Sequence, residues 1–320
     1  MSIANLSIEI CGIKFRNPIL TASGTFGYGE EFDKIIDLSK LGGIVTKSIT
    51  KHPRPGHPPP RTHETSAGML NAIGLANVGV DRFIEEKIPF LKTLDTRIIV
   101  NVAGFSMEEY TYTVERLNDT DGIDMLEINI SCPNVGADGL EFSSSAKRAH
   151  ELTSELKKIS RHPLMIKLSP NVTSIAEIAK AAEEGGADCL SLINTLVGMG
   201  VNHYTFKPIL TNITGGLSGP AIKPVALAKI WQVYNAVNIP LVGIGGIMDH
   251  LDVAEFMIVG ASLVQFGTAN FVNPDCTVKA AEGLVDYLKQ VDISDISELI
   301  GKMGGTYEIQ GKNFPACQGT

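Results

Sequence analysis

A cysteine among asparagines marks the part of this chain best suited to chemistry. Within residues 126–134, an apolar run ends in a polar turn that carries Asn129, Ser131, Cys132 and Asn134. Parallel α/β folds place catalytic groups at such carboxyl ends of strands. A thiol held there can act as a nucleophile or as a general base. The alternative is a small buried cysteine beside a turn, and the neighbouring amides favour the catalytic interpretation.

Two lysines occur in otherwise apolar stretches. Lys167 lies between Ile166 and Leu168, and Lys47 ends another apolar run. A charged side chain is costly in such a position unless it reaches an anion or a polar ligand. A lysine exposed at a strand end is the alternative, which suits Lys47 better than Lys167. We expect both lysines to contact a ligand.

Amide side chains are concentrated near the same predicted strand ends. They are Asn71, Asn101, Asn129, Asn134 and Asn194. An amide both donates and accepts hydrogen bonds, so several together suit a flat heterocycle with C=O and N–H edges. A pterin, a flavin or a pyrimidine meets this requirement, whereas a sugar more often requires carboxylates.

Two further apolar runs are each followed by glycine, the first by Gly245-Gly246 and the second by Gly267, which precedes Thr268. Glycine lets backbone N–H groups approach an anion closely, and the following helix N-terminus attracts negative charge. The alternative is that glycine ends these strands for steric reasons alone. Because Gly219 also precedes a predicted helix nearby, the pattern predicts a phosphate-bearing ligand.

The elements that must position these residues recur regularly. Short apolar runs predict eight strands, at residues 18–23, 43–47, 98–103, 125–130, 164–168, 189–194, 240–244 and 263–266. Nearly continuous apolar character is typical of a parallel sheet that is buried on both faces. Helical segments lie between the runs, one of them with Asp249 as a predicted cap. Eight βα units predict a (β/α)₈ TIM barrel, with a doubly wound open sheet as the alternative.

Two segments are predicted to be additions to the eight βα units of the barrel. Residues 8–15 alternate around Cys11-Gly12 and predict an N-terminal hairpin that closes the barrel bottom. Residues 50–80 are long and proline-rich, and their apolar second half favours an inserted lid loop over a disordered linker. No domain boundary is evident. We expect a single barrel domain over residues 1–320, with the barrel at about 6–299 and a tail of unassigned role at 300–320.

Composition narrows the class of protein. The 320 residues carry a net charge of −8, which argues against nucleic acid as a partner. The five cysteines are widely spaced, which argues against a disulfide framework and against a cysteine-ligated metal site. We predict no metal site. The sequence contains no apolar run of the ~18 residues that a membrane span needs and no secretory signal, so we expect a cytoplasmic protein.

Five stretches closely resemble the class 1 dihydroorotate dehydrogenases, and family B in particular. They are residues 68–75, 129–134, 167–171, 212–219 and 267–270, within a resemblance that runs from about residue 6 to 299. The resemblance implies a barrel with one FMN per chain that oxidises (S)-dihydroorotate to orotate in pyrimidine (UMP) biosynthesis. The membrane-bound class 2 enzymes use serine as the base and carry an N-terminal membrane segment; this sequence has neither.

The resemblance also implies roles for individual residues. Cys132 would be the base that removes the C5 proton of dihydroorotate while a hydride leaves C6 for the flavin. The implied substrate contacts are Lys47, Asn71, Ala72, Ile73, Gly74, Leu75, Asn129, Asn134, Asn194 and Thr195. The implied FMN contacts are Ser23, Lys47, Ser48, Asn101, Asn129, Lys167, Ile193, Gly219, Gly245, Gly246, Gly267 and Thr268.

Family B enzymes act with a second subunit that carries FAD and an iron–sulfur cluster of the 2Fe–2S type and passes electrons to NAD. This chain has no cluster motif and no G-x-G-x-x-G dinucleotide fingerprint. The resemblance therefore implies that NAD chemistry comes from a partner, in a heterotetramer built on a homodimer of this chain.

Three other functions remain open on the sequence. The first is a class 1 family A enzyme, a self-sufficient homodimer that uses fumarate, although residues 69–74 favour family B. The second is a module like dihydropyrimidine dehydrogenase, which reduces uracil or thymine and must accept a pyrimidine without a carboxylate. The third is a non-catalytic phosphate-binding barrel, which explains the glycines but not Cys132.

Overall fold

The computed structural model describes residues 4–130, 142 and 144–304, together with the backbone of two short strands that follow them. Three residues of the predicted catalytic turn, Ser131, Cys132 and Asn134, lie outside the described residues.

The secondary structure elements are numbered in chain order. The strands are β1 (Ile8–Ile10), β2 (Ile13–Phe15), β3 (Ile19–Thr21), β4 (Gly43–Val45), β5 (Thr62–Thr65), β6 (Gly68–Asn71), β7 (Arg97–Val102), β8 (Met125–Asn129), β9 (Leu164–Lys167), β10 (Cys189–Leu192), β11 (Leu196–Met199), β12 (Val201–Asn202), β13 (Lys207–Pro208), β14 (Thr214–Ser218), β15 (Leu241–Ile244), β16 (Leu263–Phe266), β17 (Tyr307–Ile309) and β18 (Lys312–Phe314). The α-helices are α1 (Val80–Glu86), α2 (Ile88–Leu91), α3 (Met107–Asn118), α4 (Ala146–Ile159), α5 (Ile175–Glu184), α6 (Lys223–Tyr234), α7 (His250–Ile258), α8 (Ala269–Val272) and α9 (Cys276–Gln290). Short 3₁₀ helices span Leu38–Lys40, Pro220–Ile222 and Ile296–Leu299.

Eight strands close into a parallel barrel in the order β3, β4, β7, β8, β9, β10, β15 and β16, and β16 pairs back with β3. This closure confirms the predicted (β/α)₈ barrel and excludes the doubly wound open sheet. All eight predicted strands are present, with ends that fall within two residues of the predicted ones. Most of the predicted runs extend one or two residues beyond the strands at their carboxyl ends, where some of these residues, such as Thr46 and Asn194, still donate backbone hydrogen bonds to the neighbouring strand.

Burial explains why these runs are strands. Every residue of β9, β10, β15 and β16 is buried, as a sheet covered by helices on its outer face requires. Side chains cap the N-termini of α3, α5 and α7, where Ser106, Ser174 and Asp249 accept hydrogen bonds from backbone N–H groups of the first turn. The carboxylate of Asp249 accepts hydrogen bonds from the backbone N–H groups of Leu251 and Asp252, which confirms the predicted cap of α7.

The N-terminal hairpin is present as predicted. Strands β1 and β2 pair antiparallel, and Cys11 and Gly12 form the turn between them with positive φ angles of 52° and 73°. The thiol of Cys11 donates to the carbonyl oxygen of Asp188 at 3.4 Å. Because Asp188 immediately precedes β10, this contact places the hairpin at the amino ends of the barrel strands.

Residues 50–80 contain more structure than the predicted loop. Strands β5 and β6 of this segment join β11 and β14 in a four-stranded antiparallel sheet, in the order β11, β14, β6, β5. Asn71 pairs with Gly216 in this sheet. Sequence reasoning missed these strands because their own residues favour a strand only weakly: β6 begins with glycine and β14 contains two, and glycine has low strand propensity.

The chain beyond residue 304 has one described feature, the antiparallel pairing of β17 with β18. In the parts of the chain that the structure describes, none of the helices combines the length and the apolar character needed to cross a membrane. The single domain over residues 1–320 stays a prediction.

Candidate active site

A cavity of about 380 Å³ lies at the carboxyl ends of the barrel strands. This volume falls in the usual range of small-molecule and cofactor sites. The barrel strands whose ends line it are β3, β4, β8, β9, β10, β15 and β16, and β6 and β14 of the four-stranded sheet also contribute. The fold thus brings residues that are far apart in sequence to one place.

Most of the predicted site residues line this cavity. They are Ser23, Lys47, Ser48, Asn71, Ala72, Ile73, Gly74, Leu75, Asn129, Lys167, Ile193, Asn194, Thr195, Gly219, Gly245, Gly246, Gly267 and Thr268. Cys132 and Asn134 lie outside the described residues. The structure therefore assembles the predicted set, while the role of each residue stays a prediction.

Glycines form one end of the cavity. Gly219 and Gly246 have positive φ angles of 93° and 76°, which favour glycine, and a Cβ at Gly246 would lie 2.8 Å from the carbonyl oxygen of Gly219. Among the described residues, the backbone N–H groups of Gly246, Gly267 and Thr268 have no hydrogen-bond acceptor. Backbone N–H groups without an acceptor can bind an anion such as a phosphate.

An ion-pair cluster holds the loop after β15 in place. The ammonium of Lys223 lies 2.5 Å from Asp252 and 2.8 Å from Glu255. The other carboxylate oxygen of Asp252 accepts from the backbone N–H of Met248 at 2.7 Å. These contacts tie the glycine loop to the start of both α6 and α7, so its N–H groups are held in a fixed arrangement.

Two cations of the cavity lining lie close enough for the charge of one to act on the other. Burial lowers the pKa of Lys47, the neighbouring charge of Arg61 lowers it further, and Glu31 opposes the change. Both Lys47 and Arg61 line the cavity. Paired cations are stabilised by an anionic ligand such as a carboxylate. Sequence reasoning missed Arg61, although an arginine directly after prolines 58–60 in the predicted lid was a usable signal.

The amides are held by backbone contacts. The side chain of Asn71 donates to the carbonyl oxygen of Gly216 at 3.3 Å, which fixes it to β14. The backbone N–H of Thr195 donates to the side-chain oxygen of Asn194 at 2.8 Å. The hydroxyl of Tyr110 donates to the backbone carbonyl of Asn129 at 2.7 Å and anchors the end of β8. The cavity is therefore lined by amides in defined orientations, as recognition of a flat heterocycle requires.

Asn101, a predicted FMN contact, is engaged with another buried side chain, and its predicted role stays a prediction. Its side chain is completely buried, and it donates to Oε2 of Glu127 at 2.5 Å. Asn101 is absent from the cavity lining formed by the described residues. Sequence reasoning missed Glu127, although a charged residue between Leu126 and Ile128 carries the same signal that singled out Lys167.

The fold and the cavity define a (β/α)₈ barrel protein with a ligand site at the carboxyl ends of its strands, built from cations, amides and glycine N–H groups. The chain belongs to the dihydroorotate dehydrogenase family, because the model of the family "Dihydroorotate dehydrogenase" matches residues 5–288.

Curated relatives agree with this assignment. The protein of Geotalea uraniireducens (strain Rf4) is 52% identical over 299 residues, covering 93% of this chain and 98% of that protein. The protein of Bacteroides thetaiotaomicron is 50% identical over 300 residues, covering 94% and 99%. Both carry the name dihydroorotate dehydrogenase B (NAD(+)), catalytic subunit. The confirmed family and fold are those that the sequence predicted.

A solved structure shows the shared fold. The crystal structure of DHODH in complex with ferulenol from Eimeria tenella matches with a TM-score of 0.80, over 93% of this chain and 88% of that chain. Its sequence is 22% identical, so the match supports the barrel architecture alone.

Proposed function

We propose that this chain is a catalytic subunit that oxidises (S)-dihydroorotate to orotate with bound FMN, a step of pyrimidine (UMP) biosynthesis. The observation that carries the proposal is the cavity itself: in a member of this family, Lys47, Lys167 and several amides surround a volume of about 380 Å³. The B-type names of the 50% identical relatives support the assignment to family B.

The glycine end of the cavity suits the phosphate of FMN. Gly246, Gly267 and Thr268 offer N–H donors, and a side chain at Gly246 would close the space between it and Gly219. Lys167 lines the cavity with a side chain that is 6% exposed, a place where a fixed cation acts strongly on a nearby negative charge. When bound, FMN would supply the acceptor for the hydride.

The substrate end is proposed to lie near Lys47 and Arg61. Dihydroorotate carries a carboxylate, and these two cations can bind it while the amides of Asn71, Asn129 and Asn194 bind the ring. The segment 72–75 also lines the cavity, and we propose that it keeps water from the bound substrate. Removing water strengthens each of these electrostatic contacts.

Cys132 is proposed as the base. A proton on a carbon next to a carbonyl needs a base within reach, and the ordinary thiol pKa of about 8.5 is much closer to neutral pH than that of a hydroxyl. The thiolate of Cys132 would take the C5 proton of dihydroorotate as the hydride leaves C6. The support comes from sequence: Cys132 follows β8 by three positions, and the end of that strand, Asn129, lines the cavity.

We also propose that a partner subunit carries FAD and a 2Fe–2S cluster and passes the electrons to NAD, in a heterotetramer built on a homodimer of this chain. The words "catalytic subunit" in the names of the relatives support a separate partner. Phe271 lines the cavity and is 58% exposed, and its neighbour Val272 is 69% exposed. An apolar surface at the cavity rim suits contact with another protein.

An anaerobic reduction experiment tests the activity. The purified chain should carry FMN, and dihydroorotate should bleach its yellow absorbance, whereas dihydrouracil, which lacks the carboxylate, should not. Bleaching by dihydrouracil alone would favour the dihydropyrimidine dehydrogenase-like alternative. A colourless protein that binds no added FMN would contradict the proposal.

The electron acceptor needs a separate assay. The isolated chain should pass electrons from dihydroorotate to an artificial dye but not to NAD, and addition of a subunit with FAD and an iron–sulfur cluster should restore NAD reduction. Vigorous turnover with fumarate would instead place the chain with family A. NAD reduction by the chain alone would contradict the need for a partner.

A further inference from the structure

The side chain of Glu127 is completely buried inside the barrel. It precedes Asn129 by two positions on β8, so both side chains point to the barrel interior, and Asn129 lines the cavity. Branched apolar side chains ordinarily fill this interior. A buried carboxylate is costly unless charge and hydrogen bonds compensate it, so packing alone does not explain Glu127.

Side chains from four other strands surround Glu127. Its Oε1 accepts from Oγ of Ser191 at 2.8 Å and from Nε2 of Gln265 at 2.7 Å. Its Oε2 accepts from Nδ2 of Asn101 at 2.5 Å and lies 3.5 Å from Nζ of Lys167. Amide and ammonium nitrogens only donate, so the set matches a carboxylate that only accepts.

Gln265 reaches Glu127 across the barrel. Strands β8 and β16 lie opposite each other in the closed order of strands. The side chain of Gln265 is completely buried, and its Oε1 has no hydrogen-bond partner among the described residues. Its amide can therefore turn by 180° and accept a hydrogen bond, so the network can adapt to a neutral amide in place of the carboxylate.

Lys167 connects this buried carboxylate to the cavity. It lines the cavity, while its ammonium faces Glu127 on the barrel side. Within the described part of the chain, Glu127 provides the one carboxylate within 4.0 Å of that ammonium. Glu127 therefore offsets part of the positive charge that Lys167 presents to a ligand and limits where the ammonium can lie.

We propose that Glu127 is a positioning residue that acts through Lys167 and sets how strongly the site prefers reduced, negatively charged flavin over oxidised flavin. The inference rests on the proposed FMN site. With a neutral side chain at position 127, Lys167 presents its full charge to the cavity. The site then stabilises the more negative form of the cofactor more strongly.

The test is a redox titration of bound FMN in the wild-type protein and in Glu127→Gln, which keeps the shape of the side chain and removes its charge. In the variant, the ratio of the affinity for reduced FMN to the affinity for oxidised FMN should be at least tenfold higher than in wild type. A tenfold change corresponds to a rise of about 30 mV in the reduction potential of bound FMN, for a two-electron couple. Glu127→Asp, which keeps the charge, should remain closer to wild type than Glu127→Gln. An unchanged redox equilibrium in folded, FMN-loaded Glu127→Gln would overturn the inference.

A double-mutant cycle tests whether the effect passes through Lys167. In the Lys167→Met background, Glu127→Gln should no longer shift the redox equilibrium. An equal shift in both backgrounds would show that Glu127 acts without Lys167 and would overturn its positioning role.

Thermal unfolding of the apoprotein separates this inference from the proposed function. Lys167→Met leaves the buried carboxylate of Glu127 without its cation, so it should lower Tm more than the double variant does. Simple additivity of the two changes would overturn the pairing. If wild type and variants all fail to bind FMN, the proposed function fails, and the coupling in Tm still decides whether Glu127 and Lys167 act as a pair.

Discussion

The side-chain nitrogen of Asn194 donates a hydrogen bond to the side-chain oxygen of Asn129 at 3.4 Å. Asn129 ends β8 and Asn194 follows β10, and in the barrel β9 lies between these strands. The bond therefore spans the position of Lys167, the last residue of β9, and all three side chains line the cavity. Any ligand at this end of the barrel meets amides whose orientations depend on one another.

Asn194→Asp should weaken substrate binding while FMN is retained. The new carboxylate would place two acceptor oxygens against each other at Asn129 and repel an anionic substrate. Loss of a hydrogen bond to a charged ligand weakens its binding by about tenfold or more. We expect the KM for dihydroorotate to rise at least that much, with flavin absorbance unchanged. Asn212→Asp is the control, because Asn212 is half-buried outside the cavity lining formed by the described residues and its side chain donates to the backbone carbonyl of Thr214.

Lys47→Met should stabilise the apoprotein and weaken binding of orotate. The pKa of Lys47 is lowered mainly by burial, so its charge is unfavourable in the folded state below that pKa. This cost is fully present at neutral pH and disappears as pH rises through the lowered pKa toward the unfolded value of about 10.4. We expect a gain in Tm at pH 7 that shrinks at alkaline pH, and at least tenfold weaker orotate binding in a titration.

Lys51→Met is the matched control for this prediction. The ammonium of Lys51 lies 2.7 Å from Glu108, and this carboxylate raises the pKa of Lys51. Its removal should not raise Tm. An equal rise in Tm for both variants would show that the effect of Lys47 does not come from its buried charge.

Gly246→Ala should impair FMN binding. Its φ of 76° is strained for alanine, and the new Cβ would lie 2.8 Å from the carbonyl oxygen of Gly219 and from the backbone nitrogen of Lys223. We expect a folded protein that purifies with little flavin and binds added FMN at least tenfold more weakly. Gly12→Ala is the control, because its φ is 73° but nothing lies within 4 Å of the added carbon. Full FMN occupancy in Gly246→Ala would place the phosphate elsewhere.

Cys132→Ala should retain FMN and orotate binding but lose most flavin reduction by dihydroorotate. Removal of a general base typically costs ~10²–10⁴-fold in rate. Stopped-flow absorbance measures this step directly, and Cys11→Ala, in the hairpin at the opposite end of the barrel, is the control. Cys132→Ser should keep weak activity that increases toward alkaline pH, because a hydroxyl ionises less readily. Reduction at the wild-type rate in Cys132→Ala would contradict its role as the base.

Local patterns in the sequence determined the barrel. The apolar runs are recognisable in the sequence because a strand buried on both faces needs apolar residues throughout. They form the barrel strands β3, β4, β7, β8, β9, β10, β15 and β16. The same runs located most of the site, since every parallel strand delivers its last residues to the same end of the barrel. For this reason Lys47, Asn129, Lys167, Asn194 and Gly246 could be named before their distances were known.

The four-stranded sheet above the barrel depended on tertiary structure. Strands β6 and β14 have weak intrinsic preferences and exist because they pair with each other across more than a hundred residues of chain. This pairing holds Asn71 at the cavity, and Arg61, which precedes β5 of the same sheet, also lines the cavity. Propensity and periodicity are local quantities, and neither reports such a pairing.

Tertiary structure also decided the contacts between buried polar side chains. Glu127 and Gln265 are 138 positions apart and meet only because the barrel closes. Likewise, Asn101 carries the same amide as Asn129, but its side chain turns to Glu127 inside the barrel. Residue type shows that a polar group in an apolar strand needs a partner, whereas the choice of partner depends on which strands lie beside and opposite it.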